Sequence, residues 1–358
     1  MSALRVVILG TGFGRTVQAV GFSRHPGFEL VGIAGSQAEK TRKIAHELGI
    51  PNAGADWRAL LASTRPDLVS VVTPAALHHP MMLGALELGA HVLCEKPTAL
   101  HRFQAAEMRE RARAAGRVAA INHEFRFLPA RRYALDLVRR GAIGAPRRGE
   151  ILGRYPIWAQ PSSRGMSWLS DRAMGGGILG ALGSHHTDCL RLFFGEPVRT
   201  LATVRVDQPR RGPTAADARE GVASADDACT VQYEFENGAS ALVDLNASAS
   251  YRWERFEIIG SEATLRWDDN GYRLWRLAPG REPEELATPE EFQLALREGD
   301  PQLVAPFSAL LANLHDAIVD GRPMQPNFDD AVAVQCALDS ARLSSESGAW
   351  VNVETLAD

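Results

Sequence analysis

Val6-Val7-Ile8-Leu9-Gly10-Thr11-Gly12-Phe13-Gly14-Arg15 decides the reading of this chain. An apolar, β-branched run breaks into a Gly-x-Gly turn, and a helical pattern follows over residues 16–24. That order suits the pyrophosphate of a dinucleotide. Glycines let the backbone approach the phosphates, and the next helix presents unpaired N–H groups and the positive end of its dipole. The third glycine comes one place early, at Gly14, and Arg15 stands where the usual fingerprint has glycine. The third glycine permits close helix–strand packing, so the helix is expected to sit slightly differently here.

Outward from this turn the first third of the chain alternates strands and helices. Apolar runs at 28–34, 68–73, 91–95 and 118–121 join the first strand at 5–10. They are continuous rather than alternating, as parallel strands covered on both faces require. Helical patterns fall at 38–48, 80–88 and 103–115, and Gly49, Gly89 and Gly116 follow them where a left-handed cap is common. The expectation is a doubly wound parallel sheet over residues 1–122. From 123 to 358 the texture changes. Helices are expected at 129–140, 175–194, 305–320 and 329–345. Successive strands are expected at 148–155, 198–206, 228–235, 239–247, 255–260, 263–267, 272–277 and 350–353. Strands in sequence without helices between them imply a large open, mostly antiparallel sheet in an α/β domain, with Asn237-Gly238 as a hairpin turn. The late helices are free to pack back on the first domain. Residues 157–174 read as a Trp/Pro/Ser/Gly-rich loop and 208–226 as a mobile one.

Composition excludes several classes. A chain of 358 residues is long enough for two cored domains. Its pI near 6.2 gives no basic face for nucleic acid. No apolar run approaches the ~20 residues of a membrane span. The first strand begins within a few residues of Met1, so no secretory leader is expected and the cytoplasm is the default compartment. Cys94, Cys189, Cys229 and Cys336 are scattered and form no metal or disulfide pattern.

Three further stretches carry chemistry. The second strand ends in Ala34-Gly35-Ser36-Gln37, without the acid that reads the ribose of NAD, and Lys40, Arg42 and Lys43 follow. A carboxylate ~4 Å from a phosphate charge costs about 4 kcal/mol per charge pair at an effective dielectric of ~20. Its absence beside cations favours NADP(H), with NAD(H) possible. Two strands then end in Thr73-Pro74-Ala75-Ala76-Leu77-His78-His79 and in Cys94-Glu95-Lys96-Pro97, at carboxyl ends where open α/β sheets bind ligands. A lysine at such a point can donate a proton to a carbonyl oxygen. Finally, Gly175–Asp188 packs glycines into a helix at about 1 kcal/mol each relative to alanine, which suggests close approach to a backbone or a flat ligand. His185 and Asp188 share a face of it. Adjacent His185 and His186 point ~100° apart, which speaks against a metal site.

Together these residues resemble the glucose–fructose oxidoreductase/inositol dehydrogenase (Gfo/Idh/MocA) family over nearly the whole chain. The motifs occur in the family's order: the glycine turn, Thr73-Pro74 with His78, Glu95-Lys96-Pro97, Arg126-Phe127 with Pro129, Gly175–Asp188, and Pro326–Asp330 with Trp350–Val353. The resemblance implies a Rossmann domain followed by a substrate-binding and oligomerisation domain. It also implies hydride transfer between a nicotinamide and a sugar, polyol or related carbonyl compound, in a homodimer or homotetramer. It maps the catalytic lysine onto Lys96, a proline that is often cis onto Pro97, and the acid/base histidine onto His185. Cofactor contacts are expected from Gly10, Thr11, Gly12, Phe13, Gly14, Gly35, Ser36, Lys40, Thr73, Pro74, Leu77, His78, Glu95, Lys96 and Pro97. Substrate contacts are expected from Lys96, Asn122, His123, Arg126, Tyr155, Trp168, Arg172, His185 and His186. One departure stands out. Inositol dehydrogenase-like members carry an aspartate four residues before the histidine, and here that place is Ala181. A catalytically silent nucleotide-binding sensor and an NAD-dependent glycosidase are therefore the alternatives.

Overall fold

The computed structural model describes residues 3–214, 220–268, 271–354 and 356. The chain forms two compact units: Met1–Phe127 with Leu294–Val332, and Leu128–Gln293 with Ala333–Asp358.

In the first unit β1 (Leu4–Leu9), β2 (Phe28–Ala34), β3 (Asn52–Gly54), β4 (Leu68–Val71), β5 (His91–Cys94) and β6 (Ala119–Ile121) lie in the order β3-β2-β1-β4-β5-β6. All neighbours are parallel. The order reverses between β1 and β4, so the connections leaving their carboxyl ends part there and open the crevice where such sheets take ligands. Val6, Val7, Ile8 and Leu9 are fully buried because helices cover both faces, each side chain contributing about 1.5–3 kcal/mol. The helices are α1 (Ala19–Arg24), α2 (Ala38–Leu48), α3 (Trp57–Thr64), α4 (His78–Glu87) and α5 (Arg102–Ala114). The helix Val304–Val319 also belongs to this unit. Its Phe307 meets Phe22 of α1 edge to face at 5.7 Å, and Gly21 leaves the room, since a Cβ there would stand 2.6 Å from the Phe307 ring. The sequence pattern shows neither β3 nor α3. The strand has only three residues. The helix is announced solely by Asp56, whose carboxylate caps the N–H groups of Arg58 and Ala59.

The second unit carries α6 (Pro129–Arg139), α7 (Ser184–Phe194) and a nine-stranded sheet. Its strands are β7 (Pro146–Arg154), β8 (Pro197–Arg205), β11 (Ala228–Phe235), β12 (Ser240–Asn246), β13 (Trp253–Gly260), β14 (Thr264–Asp268), β15 (Arg273–Leu277), β16 (Glu284–Leu286) and β17 (Val351–Asn352), with β9 (Arg210–Arg211) and β10 (Gly221–Val222) forming a separate ladder. Only β7 and β12 pair in parallel; the other neighbours are antiparallel. Along β7 the pleat puts Gly149 beneath α7, where a Cβ would meet Leu190 at 2.5 Å. Arg148, Glu150, Leu152 and Arg154 point to the opposite face and keep partial exposure.

The segment 208–226 is not the plain loop expected. Residues 215–219 of it lie outside the described residues. The rest folds back as the β9–β10 ladder and buries Arg211 against Asp227 at 3.4 Å and over the Trp158 ring at 4.7 Å. A buried arginine holds such a position only with a carboxylate opposite it.

Candidate active site

The phosphate-binding turn is built as its residues dictate. Gly10 has φ of +129°, and a Cβ there would stand 2.2 Å from the Val72 carbonyl oxygen, so no other residue fits. Gly12 meets nothing within 4 Å; the space beside it is open to a ligand backbone. Gly14 explains the early third glycine: a Cβ would press on Ile8 at 2.9 Å. The helix therefore starts tight against β1, and its first turn, Gly14–Gln18, is a π turn continuing into α1. Such turns concentrate at functional sites. The N–H groups of Arg15 and Thr16 donate to the Gly12 carbonyl at 3.1 and 3.3 Å, which closes the turn onto the start of the helix. This cradle fits a dinucleotide pyrophosphate. Arg15 points away, paired with Glu47 of α2 at 2.8 Å.

At the end of β2, Gly35 sits where a Cβ would crowd Thr11 and Thr41 at 2.7 Å. Ser36 and Lys40 are exposed beside it; residues 35–37 at the strand end include no acid, and Glu39 and Lys40 stand together in the first turn of α2. After β4, Thr73 and Pro74 lead into a short turn, Ala75–Leu77, in which Leu77 is partly exposed. His78 is fully buried. Its Nε2 lies 2.7 Å from the Thr73 carbonyl and its Nδ1 3.1 Å from that of Pro97. It thus ties the two strand-end loops together, and burial lowers its pKa.

Glu95-Lys96-Pro97 follows β5, and the Lys96–Pro97 peptide is cis. The Glu95 carboxylate is buried. Oε1 accepts from Gln18 Nε2 at 2.9 Å and from Asn122 Nδ2 at 2.6 Å, and Oε2 accepts from the Lys96 N–H at 3.3 Å. Burial raises its pKa, and the charge of Lys96 with these hydrogen bonds opposes the rise. Asn122 and His123, which follow β6 directly, are buried. Arg126 forms a two-pronged pair with Asp330, at 2.8 and 3.2 Å. Gln18 and Ser70 were not expected in this half. A lone glutamine on the inner side of an apolar helix was the available signal.

In the second unit the glycine-led segment folds as a π turn, Leu179–Gly183, that runs into α7. Asp226 caps it: its carboxylate accepts the Leu179 N–H at 2.8 Å, and Gly177, at φ +111°, leaves room for it. Desolvation raises the pKa of this carboxyl. Ala181 is part of the π turn. His185, His186 and Asp188 lie in the buried stretch of α7, and Asp188 faces Arg191 at 3.5 Å. His186 stands edge-on to Phe256 at 5.1 Å, while the Arg131 guanidinium lies over the same ring at 4.7 Å. Tyr155 is buried, its phenol pushed up in pKa by desolvation and by Glu254. Trp168 is partly exposed, and Arg172, largely exposed, pairs with Glu346 at 2.8 Å. Lys96 belongs to the first unit and His185 to the second. Among the described residues no group of three metal-binding side chains occurs, and no helix is long and apolar enough to cross a membrane.

His186 carries a stability prediction. Burial, then the charge of Arg131, lowers its pKa well below the ordinary value, so it is neutral when folded. As pH falls through about 6.5 the unfolded chain takes the proton first, and stability is lost until the folded pKa is reached. His186→Phe therefore flattens the decline of unfolding free energy between pH 6.5 and 5 by about 1 kcal/mol per pH unit. Urea denaturation across that range checks this; equal slopes in variant and parent would contradict it.

Fold and glycine turn together define a dinucleotide-binding α/β protein, and comparison with known proteins fixes the class. Residues 4–123 match the Gfo/Idh/MocA oxidoreductase family's NAD-binding Rossmann fold, and residues 136–353 match that family's C-terminal α/β domain. The chain belongs to this oxidoreductase family. It is 29% identical to the 1,5-anhydro-D-fructose reductase of Ensifer adhaerens, over 94% of each chain. It is 25% identical to the levoglucosan dehydrogenase of Pseudarthrobacter phenanthrenivorans, over 99% of each. An oxidoreductase domain protein from Kribbella flavida superposes with a TM-score of 0.88 at 25% identity, over 99% of this chain and 100% of that one.

Proposed function

We propose that this protein transfers a hydride between NADP(H), in preference to NAD(H), and a CH–OH or carbonyl carbon of an uncharged sugar, polyol or anhydro sugar. The observation that carries the reading is the pairing of an open glycine cradle at β1 with a buried carboxylate, Glu95, that feels the charge of Lys96 at the end of β5. When bound, the nicotinamide supplies the two-electron redox chemistry. Gly10, Thr11, Gly12, Phe13 and Gly14 hold the pyrophosphate, Gly35, Ser36 and Lys40 the ribose end, and the loops of Thr73, Pro74, Leu77 and Pro97 the remainder. His185 takes the proton of the substrate hydroxyl during oxidation and returns it during reduction. The Lys96 ammonium holds the same oxygen and stabilises negative charge on it.

The relatives named for an anhydro sugar and an anhydro ketose support a saccharide. A neutral one is favoured because the charges of Arg126 and Arg172 are answered by Asp330 and Glu346. Asn122, His123, Tyr155, Trp168 and His186 complete the proposed substrate set. A homodimer or homotetramer through the half-exposed face of the large sheet, in the cytoplasm, accompanies this reading.

The test follows nicotinamide absorbance over a panel of anhydro sugars, glycosides and inositols with both coenzymes. At least one member is turned over, NADP(H) binds more tightly, and Lys40→Ala weakens NADP(H) about tenfold, or ~1.4 kcal/mol. Equal affinity for NAD(H) and an unaffected Lys40→Ala overturn the coenzyme preference. Tight binding with no turnover replaces the enzyme by a sensor, the alternative that Ala181 motivates. Release of sugar from aryl glycosides without net redox replaces it by a glycosidase.

A further inference from the structure

Beneath the carboxyl ends of β4, β5 and β6 runs a chain of buried polar side chains. The Ser70 hydroxyl donates to Gln18 Oε1 at 2.5 Å, and Gln18 Nε2 donates to Glu95 Oε1 at 2.9 Å. Asn122 Nδ2 donates to the same oxygen at 2.6 Å, and the Lys96 N–H donates to Oε2. Gln18, Ser70 and Asn122 are each 0% exposed and Glu95 is 7% exposed. Four polar side chains in an apolar sheet core cost more than they return unless each is matched, and replacing them by hydrocarbon would serve stability equally well. The order of donors is also fixed. The ionised carboxylate only accepts, so the Gln18 amide nitrogen faces Glu95, and the Ser70 hydroxyl holds that orientation by donating to the carbonyl oxygen left at the other end.

We propose that Gln18, oriented by Ser70 and assisted by Asn122, is a positioning residue that holds the Glu95 carboxylate against Lys96 and so fixes the ammonium for the reaction. The proposal rests on the role given to Lys96 above. The π turn gives a structural reason for its place: Gln18 is the last residue of the turn Gly14–Gln18, so the segment that forms the phosphate cradle also delivers the amide to Glu95. Desolvation pushes the Glu95 carboxyl up in pKa, and the hydrogen bonds from Asn122 and Gln18 act against it. The titratable groups around it are Lys96 and the buried Cys94 thiol, with His78 set against Lys96; Ser70, Gln18 and Asn122 are neutral.

Gln18→Met keeps the volume and removes the donor. Glu95 is followed directly by carbon-13 NMR of glutamate carboxyl groups, assigned by its loss in Glu95→Gln. In Gln18→Met the Glu95 carboxyl titrates about one pH unit higher than in the parent, Ser70→Ala moves it the same way by less, and the acidic limb of the kcat/KM profile moves with it. kcat falls about tenfold while the dissociation constant for NADPH stays within twofold. A Glu95 titration and pH profile that coincide with the parent's, with only a lower melting temperature, overturn the proposal. If no saccharide of the panel is turned over by the parent, the role of Lys96 fails, while the carboxyl titration still reports on the network by itself.

Discussion

His185→Gln lowers kcat for saccharide oxidation about a thousandfold, within the 100- to 10,000-fold range of a general acid–base. The glutamine fills nearly the same volume at a position only 2% exposed, so the loss reports chemistry and not a cavity. The direction of pH dependence discriminates further. With the imidazole gone, the hydroxyl proton must leave to solvent base, so the residual oxidation rate rises in proportion to hydroxide, and carbonyl reduction by the variant rises in proportion to hydronium. Affinity for the dinucleotide is unchanged, because the residues proposed to hold it all lie in the first unit. Steady-state rates in both directions from pH 6 to 10, with NADPH binding measured alongside, check this. A variant that keeps more than a tenth of the parent rate would remove His185 from the mechanism.

Lys96→Met costs kcat a further class of interaction. It removes the cation proposed to hold the reacting oxygen, and loss of one such charge or donor typically costs ~100- to 1,000-fold, or about 2.7–4 kcal/mol. It also strips Glu95 of its counter-charge. The Glu95 carboxyl, already raised by burial, then rises further. Lys96→Arg does not rescue the rate, since a planar fork cannot replace a compact ammonium beside a buried carboxylate. Single-turnover kinetics separate the chemical step from coenzyme binding, and an unaltered single-turnover rate in Lys96→Met would contradict the assignment.

How much of this was legible before the structure varies by feature. The parallel sheet was, because Val6–Leu9 is a continuous apolar run, and Leu68–Val71 and His91–Cys94 are nearly so, broken only by Ser70 and His91, as strands covered on both faces are. The glycine cradle was legible for the same reason: Gly10 is the single residue type that its φ and the nearby Val72 carbonyl allow. The π turns at Gly14–Gln18 and Leu179–Gly183 were not, since hydrogen-bond register in a helix leaves no mark on hydrophobic period. Nor was the bond between Gln18 and Glu95, residues 77 apart in sequence and brought together only by the sheet order. The pairing of Arg211 with Asp227 was hidden similarly, in a stretch whose polar composition reads as loop. Arg126 could be located in sequence, but its capture by Asp330 depends on the returning chain.

The most direct measurement follows the atom that moves. A saccharide from the panel, deuterated at its carbinol carbons, is incubated with the protein and oxidised coenzyme, and the recovered reduced coenzyme is weighed by mass spectrometry. One deuterium per turnover is expected on the nicotinamide ring with the parent, and nearly none with His185→Gln or Lys96→Met over the same interval. Coenzyme that binds at the glycine cradle yet comes back unlabelled, with every saccharide unchanged, would contradict it.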